Sequence, residues 1–80
     1  MTVGEACRLR IRALCEERGI TPNKLSIISG VTQSTLNNIL SGRNNSTTVS
    51  TIKKLCDGLE ISLVEFFDCA LFAELEQEIS

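Results

Sequence analysis

Two short stretches in the middle of the chain each begin with a helix-capping threonine and are separated by one glycine. Thr21 precedes Pro22, a residue favoured at the first helical position because the N–H that it lacks would have no helical partner there. Thr32 can cap a second stretch that runs to about Ser41. Gly30 lies between them and suits the left-handed conformation of a tight turn. This pattern predicts two helices of roughly eight to ten residues joined by a turn of three or four.

Helix signals recur along the rest of the chain, whereas strand alternation does not. Thr2-Val-Gly-Glu5 and Ser62-Leu-Val-Glu65 are capping boxes, and Thr48 can cap a helix between them. Together with the two central helices these signals give five. We therefore expect an all-α domain over residues 1–68.

The expected core is aliphatic, because Trp and Tyr are absent and only three Phe are present. Apolar residues recur at helical spacing along the chain. In the second helix Leu25 and Ile28 are the expected inward residues. In the third helix Leu36, Ile39 and Leu40 fall within one arc.

Residues 69–80 are expected to form an acidic amphipathic extension. If this segment is helical, it places Leu71, Phe72, Leu75 and Ile79 on one side. Such a stripe suits packing back onto the chain's own core, and it equally suits contact with a second copy or a partner helix. The residues alone leave both alternatives open.

Charge is distributed unevenly around the net value of −2. Residues 1–56 hold all eight basic residues and three acidic ones, which gives +5, and residues 57–80 hold seven acidic residues and no basic one, which gives −7. A basic body with an acidic end is compatible with phosphate binding on one face. It is also compatible with an ordinary solvated surface.

The remaining chemistry of the sequence argues against several classes of function. Cys7, Cys15, Cys56 and Cys69 form no C-x-x-C pair and histidine is absent, so we expect buried reduced thiols and no metal. No Ser–base pair, carboxylate dyad or phosphate-cradling glycine loop is recognisable, so we expect no enzyme, cofactor or small-molecule substrate. No apolar run is long enough for a membrane span and no secretory signal is evident, so we expect a cytoplasmic location.

The outer side of the third helix carries amides and hydroxyls and no charge. Paired donors and acceptors of this kind match the edges of bases in the major groove of DNA. A helix-turn-helix presents the N-terminal residues of its second helix to those bases. The residues expected to read bases are Gln33, Ser34, Asn37 and Asn38.

Phosphate contacts are expected on either side of that face. The N-termini of both short helices direct N–H groups and positive dipole ends outward, and the loop after the third helix carries an arginine and two amides. The residues expected to bind phosphate are Thr21, Asn23, Lys24, Thr32, Arg43, Asn44 and Asn45.

From residue 11 to residue 67 the sequence resembles the lambda-repressor-like, Cro/CI-type (XRE) helix-turn-helix family without gaps. The motifs that carry the resemblance are Arg18-Gly-Ile-Thr21, Lys24-Leu25, Gly30-Val-Thr-Gln-Ser-Thr-Leu36, Ser41-Gly-Arg43, Thr48-Val-x-Thr-Ile52 and Leu59-x-Ile-Ser-Leu63. The resemblance implies a five-helix domain that binds double-stranded DNA, usually as a transcriptional repressor or regulator and often as a homodimer on a palindromic operator. It also implies base-reading roles for Gln33, Ser34, Asn37 and Asn38, and backbone contacts at Arg43 and Asn44.

The sequence departs from that family at a few positions. Family members commonly have Ala where this chain has Ser26, and they commonly have Gln where this chain has Pro22. That Gln often contacts phosphate. Some members join the first and third helices by a buried Arg–acid pair, at positions that are Cys15 and Leu40 here. Glu60 stands where the family usually has a helix-ending glycine.

A protein-interaction module of the same fold is the alternative function. In an antitoxin or anti-repressor of this type, the groove face or the C-terminal segment would bind a protein partner. The low total charge and the acidic end of the chain are the features that keep this alternative open.

Overall fold

The computed structural model describes residues 1–42 and 47–79. Within these ranges the chain is all-α with no strand, which confirms the predicted fold class. The elements are α1 (Val3–Arg18), α2 (Pro22–Ser29), α3 (Gln33–Leu40), α4 (Val49–Leu59), α5 (Leu63–Phe67) and a single 3-10 turn (Ala70–Phe72). Among the residues described, no helix combines the length and apolar character needed to cross a bilayer.

Each of the five helices begins at the cap that the sequence predicts. The cap hydroxyl accepts a hydrogen bond from the backbone N–H three residues further on, at 3.0–3.2 Å. Helices of 5 to 16 residues are marginal in isolation, and a cap of this kind contributes about 1 kcal/mol. The five cap residues are Thr2, Thr21, Thr32, Thr48 and Ser62.

One aliphatic core joins the helices, and Phe66 of α5 is fully buried within it. The closest packing is between α2 and α4. A Cβ added to Gly58 would lie 2.9 Å from the Cα and Cβ atoms of Ser29, so only glycine permits this approach. α4 therefore packs directly against α2, the first of the two helices joined by the turn at Gly30.

The predicted inward face of α2 is wrong at one position. Ile28 is 39% exposed, and the residue buried beside Leu25 is Ser26. The buried side of the helix therefore passes through Leu25 and Ser26 rather than Leu25 and Ile28. Eight residues give too few repeats of the apolar pattern to distinguish the two. A hydroxyl is tolerated there because Ser26 Oγ donates a hydrogen bond to the carbonyl oxygen of Val31 at 2.5 Å.

α4 ends at the residue where the sequence departs from a helix-ending glycine. Glu60 adopts the left-handed conformation with φ 58°, and its N–H donates to the carbonyl oxygen of Asp57. A glycine would adopt this conformation more readily than Glu. The geometry of the helix end is therefore kept although the side chain differs.

The described part of residues 69–80 does not form the continuous amphipathic helix that the apolar spacing allows. Only the 3-10 turn is helical, and Cys69, which precedes it, makes no side-chain cap. Phe72 packs against the core, whereas Ile79 is 83% exposed, so the predicted stripe is not continuous. An acidic segment without bases has no i,i+4 ion pairs to support a helix.

The described part of this segment packs back onto the start of the chain. The rings of Phe67 and Phe72 lie edge to face at 4.8 Å between centroids. The Glu76 N–H donates to the carbonyl oxygen of Met1 at 3.0 Å, and the Glu76 carboxylate lies 3.4 Å from the N-terminal ammonium. These contacts favour packing of the segment onto the rest of its own chain over contact with a second copy or a partner helix. The domain boundary at residue 68 remains a prediction.

Candidate nucleic-acid interface

The turn between α2 and α3 is held by hydroxyl groups as well as by glycine. Gly30 has φ 70°, and its N–H donates to the carbonyl oxygen of Ser26 at 3.1 Å. The Ser26 hydroxyl then binds the carbonyl of Val31, and the Ser29 hydroxyl binds that of Leu25 at 2.6 Å. The serine that departs from the family pattern thus ties α2 to the residue that follows the turn.

α3 has two opposite sides that differ completely in character. Leu36, Ile39 and Leu40 are buried with at most 6% exposure. The opposite side is polar but uncharged, since α3 contains no charged residue at all. The structure brings the four predicted base-reading residues together on that side as exposed side chains, and we call them the amide face: Gln33, Ser34, Asn37 and Asn38.

The start of α3 offers hydrogen-bond donors. The Thr32 hydroxyl accepts from the N–H of Thr35 at 3.2 Å and donates to the Thr35 hydroxyl at 2.9 Å. The N–H groups of Gln33 and Ser34 have no acceptor within a helix, because the first turn lacks preceding carbonyls. With the positive end of the helix dipole, they form a surface that favours an anion.

The start of α2 offers fewer donors than the start of α3. Thr21 caps this helix by accepting from the N–H of Lys24 at 3.1 Å, and Thr21, Asn23 and Lys24 are all exposed. Pro22 occupies the first helical position and has no N–H. Within the first turn of α2, Asn23 is therefore the residue whose backbone N–H has neither a helical acceptor nor a cap.

Of the predicted phosphate-binding residues, those on the helices lie at exposed helix starts. Thr21, Asn23 and Lys24 lie at α2, and Thr32 lies at α3. The predictions for Arg43, Asn44 and Asn45 fall on residues outside the described ranges.

Three arginines of α1 bind the C-terminal ends of other helices. Arg10 donates to the carbonyl oxygens of Phe66 at 2.7 Å and Glu65 at 2.8 Å, at the end of α5. Arg12 donates to the carbonyl oxygen of Leu40 at 2.9 Å. Arg18 donates to that of Leu59 at 2.6 Å. A carbonyl in the last turn of a helix has no N–H partner within that helix, and each guanidinium supplies one. The positive charge of the guanidinium is also favourable there, because the C-terminal end of a helix is the negative end of its dipole.

Sequence reasoning missed these contacts, although one signal was present. Arg10 and Arg12 lie on either side of Ile11, which is fully buried. A long side chain next to a core position can extend along apolar surface and place its charged end at a neighbouring element. Lys53 is also paired, with Asp57, so several basic residues in the described part of the chain are engaged by other residues of the chain. The net charge of residues 1–56 is therefore not a measure of the phosphate-binding surface.

The link between α1 and α3 differs from the ion pair found in some family members. Cys15 and Leu40 are both buried in the core, with 5% and 6% exposure. The polar link is provided instead by Arg12, one turn earlier in the chain, which binds the Leu40 carbonyl. A charge at the edge of the core avoids the desolvation that a buried ion pair requires.

The four cysteines are free thiols, but the prediction that all of them are buried is wrong for Cys69. Cys7, Cys15 and Cys56 are buried, and Cys69 is half-buried. Burial raises the pKa of the thiols of Cys7, Cys15 and Cys56, which favours the neutral, unreactive form. Within residues 1–42 and 47–79 no three His, Cys, Asp or Glu side chains are grouped so that they could hold a metal ion.

Comparison with known proteins identifies one related family. The model of the Cro/C1-type HTH DNA-binding domain matches residues 10–70, a range that extends from Arg10 in α1 to the 3-10 turn. No curated protein and no solved structure matches the chain. The matched range contains the whole of α2, the turn, α3 and the amide face.

Proposed function

Because the chain belongs to the Cro/C1-type HTH DNA-binding family, we propose that it is a sequence-specific DNA-binding regulator of transcription that acts as a repressor. The amide face of α3 is the observation that carries this proposal. Exposed helix surfaces usually owe their solubility to Glu and Lys, and α3 has neither. Its four exposed polar side chains suit the reading of base edges rather than general solvation.

In the proposed complex α3 lies in the major groove with its N-terminal end toward the bases. Gln33 and Asn38 carry amides that can form two hydrogen bonds with adenine at N6 and N7. Ser34 and Asn37 complete the reading surface with a hydroxyl and a further amide. A good bidentate pair contributes about 1–3 kcal/mol to discrimination between bases.

Phosphate contacts in this proposal fix the register of α3 without adding sequence information. Thr32 and the N–H groups at the start of α3 bind one phosphate, and Thr21, Asn23 and Lys24 bind another near the start of α2. Arg43, Asn44 and Asn45 are proposed to contact the backbone next to the end of α3. The limited donor set of α2 makes its phosphate contact the weakest of the group.

The proposal includes a homodimer on a palindromic operator, since two copies related by a two-fold axis would place two reading helices one helical turn of DNA apart. Repression then follows from occupancy of the operator. The cytoplasmic location expected from the sequence belongs to the same proposal.

Selection of bound sequences from a random DNA pool tests the proposal. We expect an enriched motif with two-fold symmetry and half-sites about 10 base pairs apart. The affinity for that motif is expected to decrease linearly on a log–log scale as salt increases, with a slope of about −0.9 per phosphate contacted. Absence of an enriched motif together with absence of DNA affinity at low salt would contradict the proposal.

A protein-interaction module remains the second candidate, and one observation favours it. On α5, Val64 is 78% exposed and Phe67 is 37% exposed, next to the half-buried Leu63. Neighbouring apolar side chains at a surface are typical of a protein contact. A chain that binds a protein through α5 and shows no salt-dependent affinity for DNA would support this candidate over the first.

A further inference from the structure

Arg8 of α1 reaches the C-terminal end of the proposed reading helix. Its Nη1 atom lies 3.2 Å from the point that a Cβ on Gly42 would occupy. Gly42 follows the end of α3, and the missing side chain leaves room for the guanidinium group there. Arg12, one turn further along α1, binds the carbonyl oxygen of Leu40 at 2.9 Å. Two guanidinium groups thus lie at one end of α3.

The two arginines differ in their partners. Arg12 is engaged with a carbonyl of α3 itself. The acid next to Arg8 on α1 is Glu5, whose carboxylate accepts from the N–H and hydroxyl of Thr2 at 3.2 Å and 3.0 Å. In the part of the chain that the structure describes, the salt bridges join Met1 to Glu76 and Lys53 to Asp57. No described carboxylate therefore forms a salt bridge with Arg8.

The dipole of α3 gives a cation at this end a role in DNA binding. The proposed function places sugar–phosphate backbone next to the end of α3, where Arg43 follows the helix. The N-terminal end attracts a phosphate through its dipole, whereas the C-terminal end repels one. A phosphate beside the C-terminal end requires a positive group to offset that repulsion.

We propose that Arg8 provides such a positive group in addition to Arg43, and that it binds a phosphate of double-stranded DNA beside the C-terminal end of α3. The inference rests on the proposed function, since it assumes that α3 enters the major groove. It adds a contact from outside the helix-turn-helix unit. The contact is with the backbone, so it strengthens binding to every sequence equally.

Measurement of DNA affinity against salt tests this contact with Arg8→Ala, Arg8→Lys and a matched control. Loss of one phosphate contact reduces the magnitude of the salt slope by about 0.9 and the affinity by about fivefold at 0.15 M salt. We expect these changes for Arg8→Ala on both the selected motif and an unrelated duplex, while Arg8→Lys retains most of the slope. Lys54→Ala removes one exposed positive charge from α4, and we expect it to leave the slope unchanged.

The thermal midpoint of each variant shows whether the variant is folded. If Arg8→Ala does not fold, Arg8→Gln serves as a second variant that removes the charge. A folded neutral variant with an unchanged salt slope would overturn the Arg8 contact while leaving the proposed function intact. Loss of affinity for one sequence only would also overturn it, because a phosphate contact cannot distinguish sequences. If the wild-type chain itself has no salt-dependent affinity for DNA, the proposed function fails first, and the Arg8 contact fails with it.

Discussion

α1 and α3 use their polar residues in opposite ways. α1 carries four arginines, and three of them bind the carbonyl ends of α5, α3 and α4 within the same chain. α3 carries no charge, and its amides and hydroxyls are exposed. The charged helix therefore organises the fold, and the uncharged helix presents the surface proposed to read DNA.

This difference shows that charge density along a sequence does not locate a DNA-binding face. An arginine that binds a helix end contributes to the free energy of unfolding, and its charge is less accessible to phosphate. An uncharged amide contributes little to folding but can discriminate between bases. Substitutions in the two helices should consequently affect different measurements, one the stability and the other the sequence preference.

The largest effect is expected for Arg10→Ala. This substitution removes two hydrogen bonds from a charged donor to the end of α5, at 2.7 Å and 2.8 Å. Because the second bond is exposed, we expect a loss of about 2 kcal/mol in the free energy of unfolding, measured with urea. Arg10→Lys should recover part of the loss, and Lys54→Ala should change stability by less than about 0.5 kcal/mol. A loss as small as that of Lys54→Ala would show that the arginine does not hold α5.

The next effect is expected for Asn38→Ala on the amide face, and it should appear in sequence preference. Removal of one amide that is proposed to read bases should lower discrimination at one base-pair position by about 1–2 kcal/mol, measured by competition between selected and substituted duplexes. The free energy of unfolding should remain within about 0.5 kcal/mol of the wild type, because the side chain is exposed. Asn23→Ala at the start of α2 is the matched control and should weaken all sequences alike. Equal weakening by both variants would contradict a base-reading role for Asn38.

The sequence predicts the helices of this chain well because their signals are local. A cap hydroxyl and the N–H that it accepts are three residues apart, so Thr2, Thr21, Thr32, Thr48 and Ser62 can be identified without knowledge of the fold. The opposite arcs of α3 follow from helical periodicity in the same way.

The arginine contacts could not be predicted because they join residues far apart in sequence. Arg10 binds residues 55 and 56 positions later, and Arg18 binds one 41 positions later. Their direction depends on how α1 packs against the other helices, which periodicity does not specify. The apolar pattern places Ile28 in the core for a related reason, because an eight-residue helix offers too few turns to determine its rotation.

A smaller effect is expected for Arg12→Ala, which connects the two helices compared here. This substitution removes the bond to the Leu40 carbonyl, and we expect a loss of about 1 kcal/mol in the free energy of unfolding. Because the bond positions the end of α3, affinity for all DNA sequences should also decrease. Arg18→Ala removes a similar bond at the end of α4 and should reduce stability without reducing the affinity of the folded protein. Equal DNA affinity for the two folded variants would show that the Arg12 bond does not position α3.

The smallest effect concerns the caps of the same two helices and their response to acid. The carboxylate of Glu5 accepts hydrogen bonds from the N–H and hydroxyl of Thr2, and these bonds lower the pKa of Glu5 below its usual value. The cap of α3 instead pairs the hydroxyls of Thr32 and Thr35, so it has no titrating group. Because the pKa of Glu5 is lower in the folded state, its contribution to stability is present above the unfolded pKa, about 4.3, and is lost as the pH falls through the folded value.

Glu5→Gln isolates this contribution, since glutamine can still accept from the Thr2 N–H but does not titrate in this range. We expect the urea midpoint of the wild type to decrease more steeply than that of Glu5→Gln between about pH 5 and pH 3, where Glu titrates. The difference between the two curves should be small because the Glu5–Thr2 bonds are at the surface. Parallel curves for the two proteins would show that the carboxylate does not stabilise the start of α1, and that the caps of α1 and α3 act through their hydroxyls alone.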